Sequence, residues 1–61
     1  MKHDVSRLEE RIEWWLDIAL NGEIEELREE AKREVRSLDN HYKIITGNHY
    51  IAKRYGKWKI N

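Results

Sequence analysis

His41-Tyr42-Lys43-Ile44-Ile45-Thr46-Gly47-Asn48-His49-Tyr50-Ile51-Ala52-Lys53-Arg54-Tyr55-Gly56-Lys57-Trp58-Lys59-Ile60 is the stretch on which the fold of this 61-residue chain turns. It is rich in β-branched and aromatic residues. Apolar and polar side chains alternate through much of it, the period of a strand with one buried face. Gly47-Asn48 reads as a two-residue hairpin turn with Gly at the first central position, as a type II′ turn requires. Gly56-Lys57 repeats the signal more weakly. Those turns pair Thr46 with His49, Ile44 with Ile51 and Tyr42 with Lys53, then Tyr55 with Trp58 and Lys53 with Ile60. In that register Tyr42, Ile44, Ile51, Tyr55, Trp58 and Ile60 share one face. The pattern predicts a three-stranded antiparallel meander.

Working outward toward the N-terminus, the period changes to that of a helix. Ser6-Arg7-Leu8-Glu9 fits a capping box, with a Ser hydroxyl for the third amide and a Glu reaching back to the cap amide. Val5, Leu8, Ile12, Trp15, Leu16 and Ala19 then fall within one broad helical face. Asn21-Gly22 follows the last of these, and Gly is a common helix stop because it accepts the left-handed conformation. Glu23, Glu25 and Glu26 suit the positive end of a second helix, and Arg33 and Arg36 its negative end. Ile24, Leu27, Ala31, Val35 and Leu38 form that helix's apolar stripe. The stripe also continues from Leu16 and Leu20 across the glycine, so one long helix is the competing arrangement, at about 1 kcal/mol for an internal glycine. A solitary long helix would leave much apolar surface uncovered, which favours the hairpin. The expectation is a single α+β domain over residues 1–61: a two-helix hairpin, acidic, over 1–38, packed in two layers on a basic β-meander over 39–61.

Charge follows the same division. Residues 1–38 hold eleven acids against seven Lys and Arg, whereas 39–61 hold Asp39 against Lys43, Lys53, Arg54, Lys57 and Lys59. A net charge of zero therefore conceals two oppositely charged halves. The upper sheet face would carry His41, Lys43, Ile45, Tyr50, Ala52, Arg54, Lys57 and Lys59, with His41, Arg54 and Lys59 in one row. Like charges set opposite each other cost some tenths of a kcal/mol, which points to an anion. Cations interleaved with an aromatic suit single-stranded nucleic acid, and an acidic protein surface is the other candidate. Lys43, Tyr50, Arg54, Lys57 and Lys59 are the candidate anion-binding residues. Lysines at a sheet edge also serve simply to prevent edge pairing.

A second candidate lies on the first helix. Trp14 and Ile18 point away from Ile12, Leu16 and Ala19, with Arg11 on the same side. Either this helix is covered on both sides, or Arg11, Trp14 and Ile18 form a site for a protein partner or for self-association.

Several classes of function are disfavoured. The chain has no Cys, which excludes disulfides and thiolate metal sites. It has no Gly-rich phosphate loop, and Ser6 and Ser37 are explained as helix-end residues. His41 and His49 fall toward opposite ends of the first hairpin and would not share a metal, while His3 sits in a terminus. A fold this small offers little room for a cleft, so neither catalysis, a cofactor nor a small-molecule substrate is expected. The longest apolar run, Trp14-Trp15-Leu16, is far short of the roughly 20 residues that cross a bilayer. Acids at Glu9, Glu10, Glu13 and Asp17 argue against a membrane-surface helix. Without an apolar signal region after Met1, the expected location is the cytoplasm. The expected function is a small non-enzymatic binding module, of the size of accessory or inhibitor proteins of mobile elements that act by occluding a surface. The rival is a designed or purely structural mini-protein with no evolved activity. Zero net charge, no Pro, Cys or Phe, and the run Glu-Glu-Leu-Arg-Glu-Glu-Ala-Lys-Arg-Glu at 25–34 favour it.

Overall fold

The computed structural model describes residues 4–60. They form three helices: α1 (Ser6–Asn21), α2 (Glu25–Thr46) and α3 (Tyr50–Tyr55). No strand occurs among the described residues, so the three-stranded meander and the α+β class are overturned. His3 and the Met1-Lys2 start lie outside the described residues.

The correction has a physical cause in residues 39–46. Val35, Leu38, Tyr42 and Ile45 continue the helical spacing set by Leu27 and Ala31, while Tyr42, Ile44 and Thr46 also satisfy alternation. The two patterns differ over Ile44. A strand would bury it beside Tyr42; instead Tyr42 is 1% exposed and Ile44 82%. The helical pattern prevails because α2 is already nucleated and each added residue gains a backbone hydrogen bond at little further ordering cost. The glycines also act differently from the expected hairpin turns. Gly47 (φ 87°, ψ −2°) and Gly56 (φ 81°, ψ −11°) do need positive φ, but as left-handed helix stops and not as hairpin turns. Their N–H groups close the last turns onto Lys43 O at 2.7 Å and Ala52 O at 2.8 Å. Thr46 Oγ1 supports the first stop, donating to Tyr42 O at 2.9 Å and accepting from the Asn48 N–H at 3.3 Å. Because α2 runs on to Thr46, Arg33 and Arg36 stand in mid-helix and not at its negative end.

The chain turns at Gly22, so the first two helices form a hairpin. Gly22 itself is extended (φ −63°, ψ 143°), not left-handed. Glycine is required there for space, since a Cβ would lie 2.6 Å from Ile18 O. Arg28 Nη1 donates to Gly22 O at 2.7 Å and ties the turn to the first turns of α2. The expected capping box is absent: Ser6 is inside the helix, and the Asp4 carboxylate accepts from its N–H at 2.9 Å.

The core takes Ile12, Leu16 and Ala19 from α1, Ala31, Val35 and Tyr42 from α2, Tyr50 and Ile51 from α3, and Ile60 from the segment after it. Val5, Leu8, Trp15, Ile18 and Leu38 lean on this cluster without being enclosed. Ile24 and Leu27, assigned to the apolar stripe, are exposed at the turn end of the hairpin. Among the described residues no helix is long and apolar enough to cross a membrane.

Candidate anion-binding site

A helix of six residues does not hold its shape unaided, since helices below about 12 residues are marginal in water. The position of α3 is therefore a consequence of what grips it. The first grip is Asp39, fully buried on α2. Its carboxylate accepts the backbone N–H of Tyr50 at 2.5 Å and of Ile51 at 3.3 Å. These are the first amides of α3, which have no partner within the helix. His49, at the cap position, supplies no side-chain bond, so the cap comes from eleven residues away. The buried charge is balanced by the helix's positive end and by two charge-assisted hydrogen bonds. His49 Nδ1 is 3.5 Å from Asp39 Oδ1 and makes no hydrogen bond.

The second grip is Glu13 on α1, one turn after Glu9, which bonds α2 instead. Glu13 accepts the Tyr50 hydroxyl at 2.5 Å and the Tyr55 hydroxyl at 2.6 and 2.9 Å. Glu9 accepts the Tyr42 hydroxyl at 2.8 Å. Burial, then the bond to Glu13, pushes the Tyr50 phenol well above its ordinary range. The Tyr42 phenol rises for the same reasons, with Glu9 as acceptor. For Tyr55 the bond to Glu13 comes first and burial second. All three hydroxyls therefore stay protonated donors at neutral pH. The Tyr42 and Tyr50 rings meet edge to face at 5.3 Å, and Arg54 Nε stands 3.7 Å from Glu13 Oε2.

The surface beyond these grips is cationic. From Asn40 to Ile60 there is no acidic residue. Lys53 and Arg54 face outward from α3, and Lys57 and Lys59 follow it. Tyr55 and Trp58, which the strand register placed underneath, are about two-fifths exposed. Lys59 Nζ stands 5.5 Å and Arg54 Cζ 5.8 Å from the Tyr55 ring centre, within cation–π range. Trp58 meets the His49 ring at 6.5 Å and borders a groove with Arg36, Asn40 and Ala52. Lys43, on the last turn of α2, shares an adjacent groove with Lys53.

Of the anion-binding residues expected from the sequence, Arg54 and Lys59 come together at the Tyr55 ring, Lys57 is exposed between them in the chain, and Lys43 shares a groove with Lys53. Tyr50 does not join them as a stacking platform, because it is 8% exposed and its hydroxyl is engaged by Glu13. The predicted row of His41, Arg54 and Lys59 is not formed: His41 borders a groove with Arg7, Leu8, Arg11 and Ile45 of the hairpin. Lys53, Tyr55, Trp58 and the positioning acids Glu13 and Asp39 were missed. Asp39 stands within the helical series of Val35 and Tyr42, which is a signal for it, whereas Lys53, Tyr55 and Trp58 carry none once the stretch is read as strands.

Arg11, Trp14 and Ile18 stand at i, i+3, i+7 spacing on one face of α1, but they do not line one groove. Trp14 is 61% exposed, edge-on to Trp15 at 4.8 Å, and opens beside Glu10, Glu13 and Tyr50. Arg11 opens on the groove with His41 and Ile45. Ile18 packs partly against the core. The first helix is thus not covered on both sides. No group of three or more His, Asp or Glu able to hold a metal ion stands together among the described residues. No family model matches the chain, and no curated protein or solved structure matches it either.

Proposed function

We propose that this protein is a small binding module that engages single-stranded nucleic acid through α3 and the segment after it. One observation carries the reading. Arg54 and Lys59 flank the half-exposed Tyr55 ring, Lys53, Lys57 and Trp58 are exposed in the same segment, and Asp39, the one acid from residue 39 onward, is buried. Cations that track phosphates beside aromatic faces on which bases stack are the physical requirements of such binding. No side chain in this surface needs to do chemistry; the module acts by occupying the strand.

The test is an anisotropy titration of single-stranded and duplex oligonucleotides at two salt concentrations, with Trp fluorescence recorded in parallel. Four phosphates neutralised predict a log–log salt slope of about −3, hence about a 50-fold weaker affinity at 200 than at 50 mM salt. Stacking on Trp58 predicts quenching that Trp58→Ala removes. No binding at 50 mM salt contradicts the reading. Binding to polyglutamate in preference to oligonucleotide replaces the partner by an acidic protein surface.

A further inference from the structure

The α1–α2 hairpin has two long sides, and α3 covers one. The covered side is marked by Glu9 and Glu13 on α1 and by Asp39 on α2, which receive the tyrosine hydroxyls and the α3 amides. Around α1, Leu8, Trp15 and Ile18 stand roughly 100–180° from those glutamates. Around α2, Leu27, Leu38 and Ile45 stand roughly 100–120° from Asp39. None of the six is buried, and Leu27 and Ile45 are exposed. Leu8 and Ile45 share a groove with Arg7, Arg11 and His41, and no α3 residue lines it. These six residues come from both helices, and Leu8, Trp15, Ile18 and Leu38 pack in part against the core from this side.

Its charges are arranged in two strips. Arg7 and Arg11 lie on the α1 strip, each roughly 160° from Glu9, and Glu34 borders Leu27, Leu38 and Ile45 on the α2 strip, roughly 140° from Asp39, with Glu30 roughly 180° from it. All four are exposed, and none enters an ion pair among the described residues. A nucleic acid or an acidic protein would meet Glu30 and Glu34, and a basic partner would meet Arg7 and Arg11. A surface that carries both signs in the complementary order suits both strips, and the chain's own side is one.

We propose that a second copy of this chain covers this side. In the two-fold dimer, α1 of each copy lies across α2 of the other. Trp15, Ile18, Leu38 and Leu27 are enclosed, and Arg11 stands against the partner's Glu34. Two-fold symmetry makes every such contact twice, which is how one patch complements itself. The molecule measures 40 × 20 × 14 Å. A side along its long axis offers on the order of 600–800 Å², close to one partner's share of a standard interface. The grooves lined by Lys53, Arg54 and Trp58 contain none of these residues, so the dimer leaves the cationic surface open.

Sedimentation equilibrium of the full chain from micromolar to about 200 μM tests the proposal. The wild type is expected to be dimeric within that range. Arg11→Glu and Glu34→Arg each weaken the dimer by ~10-fold or more, because each sets two like-charge pairs in the interface. The double variant Arg11→Glu/Glu34→Arg restores the wild-type constant to within about threefold, because the pairs re-form with reversed polarity. Both positions are exposed, so far-UV circular dichroism is expected to be unchanged in all three variants. A wild type that stays monomeric at 200 μM overturns the proposal. So does a dimer indifferent to both single reversals, or a double variant no tighter than either single one.

Discussion

Ile12, Leu16 and Ala19 share one apolar core with Ala31 and Val35, and this packing, with the turn and the Glu9–Tyr42 hydrogen bond at its edge, holds α1 against α2. The third helix is held differently. Ile51 and Tyr50 supply apolar area, but its place and its start depend on Asp39 and on Glu13. The hairpin is long enough for its periodic face to decide its structure. α3 is too short for that, and its structure is decided by two carboxylates from other helices. A short element of this kind is specified by polar partners distant in sequence, and so carries little local signal.

Substitutions in the two regions should differ in size and in reach. The largest effect belongs to the hairpin core: Ile12→Ala should cost about 3–4 kcal/mol in urea unfolding, with all three helices lost together. Asp39→Ala comes next, at about 2–3 kcal/mol, because it leaves the first amides of α3 buried without an acceptor. Hydrogen exchange distinguishes the two. After Asp39→Ala, the amides of Tyr50 and Ile51 should lose protection while those of Leu16 and Val35 keep it. Equal loss everywhere would make α3 part of the hairpin's own cooperative unit.

Glu13→Ala should cost about 1–3 kcal/mol, since it leaves the buried Tyr50 hydroxyl without its acceptor. The same contacts set a pH dependence. Folded-state phenol pKa values raised above the ordinary 10.0 mean that the tyrosines' contribution is fully present below about pH 10. It is lost as pH rises through the raised folded values. Tyrosinate absorbance should show Tyr50 ionising last, with loss of near-ultraviolet dichroism, and Glu13→Ala should bring that loss to lower pH. Smallest of all is Ile44→Gln, expected within about 0.5 kcal/mol of wild type because the side chain is in water. A buried Ile44 would instead cost several times as much.

The first 38 residues were legible because helical spacing there has no rival: Ile12, Leu16, Ala19, Ala31 and Val35 fit period 3.6 and no other. Beyond Asp39 two periods overlap. Tyr42 and Ile45 extend the helical series, Tyr42 and Ile44 the alternating one, and local composition favoured the second. Gly47 and Gly56 could not arbitrate, since a type II′ turn and a helix stop both require positive φ. Two hairpin turns then gave a self-consistent apolar face, which shows that agreement between turn chemistry and alternation does not exclude a helix. Asp39 could have arbitrated. An acid in the middle of an apolar helical series needs a buried partner, and amides at the start of another helix are one. Of the candidate site, the cations were legible as charge, because no fold can hide so many. The aromatic residues beside them were not, because exchanging strand for helix moves Tyr50 inside and brings Tyr55 and Trp58 toward solvent.

Backbone chemical shifts and nuclear Overhauser contacts over His41–Thr46 distinguish a continuous α2 from a strand. A helix running to Thr46 predicts positive Cα secondary shifts throughout, sequential amide–amide contacts, and a break at Gly47. Negative shifts with a cross-strand contact between Ile44 and Ile51 would contradict it and restore the sheet.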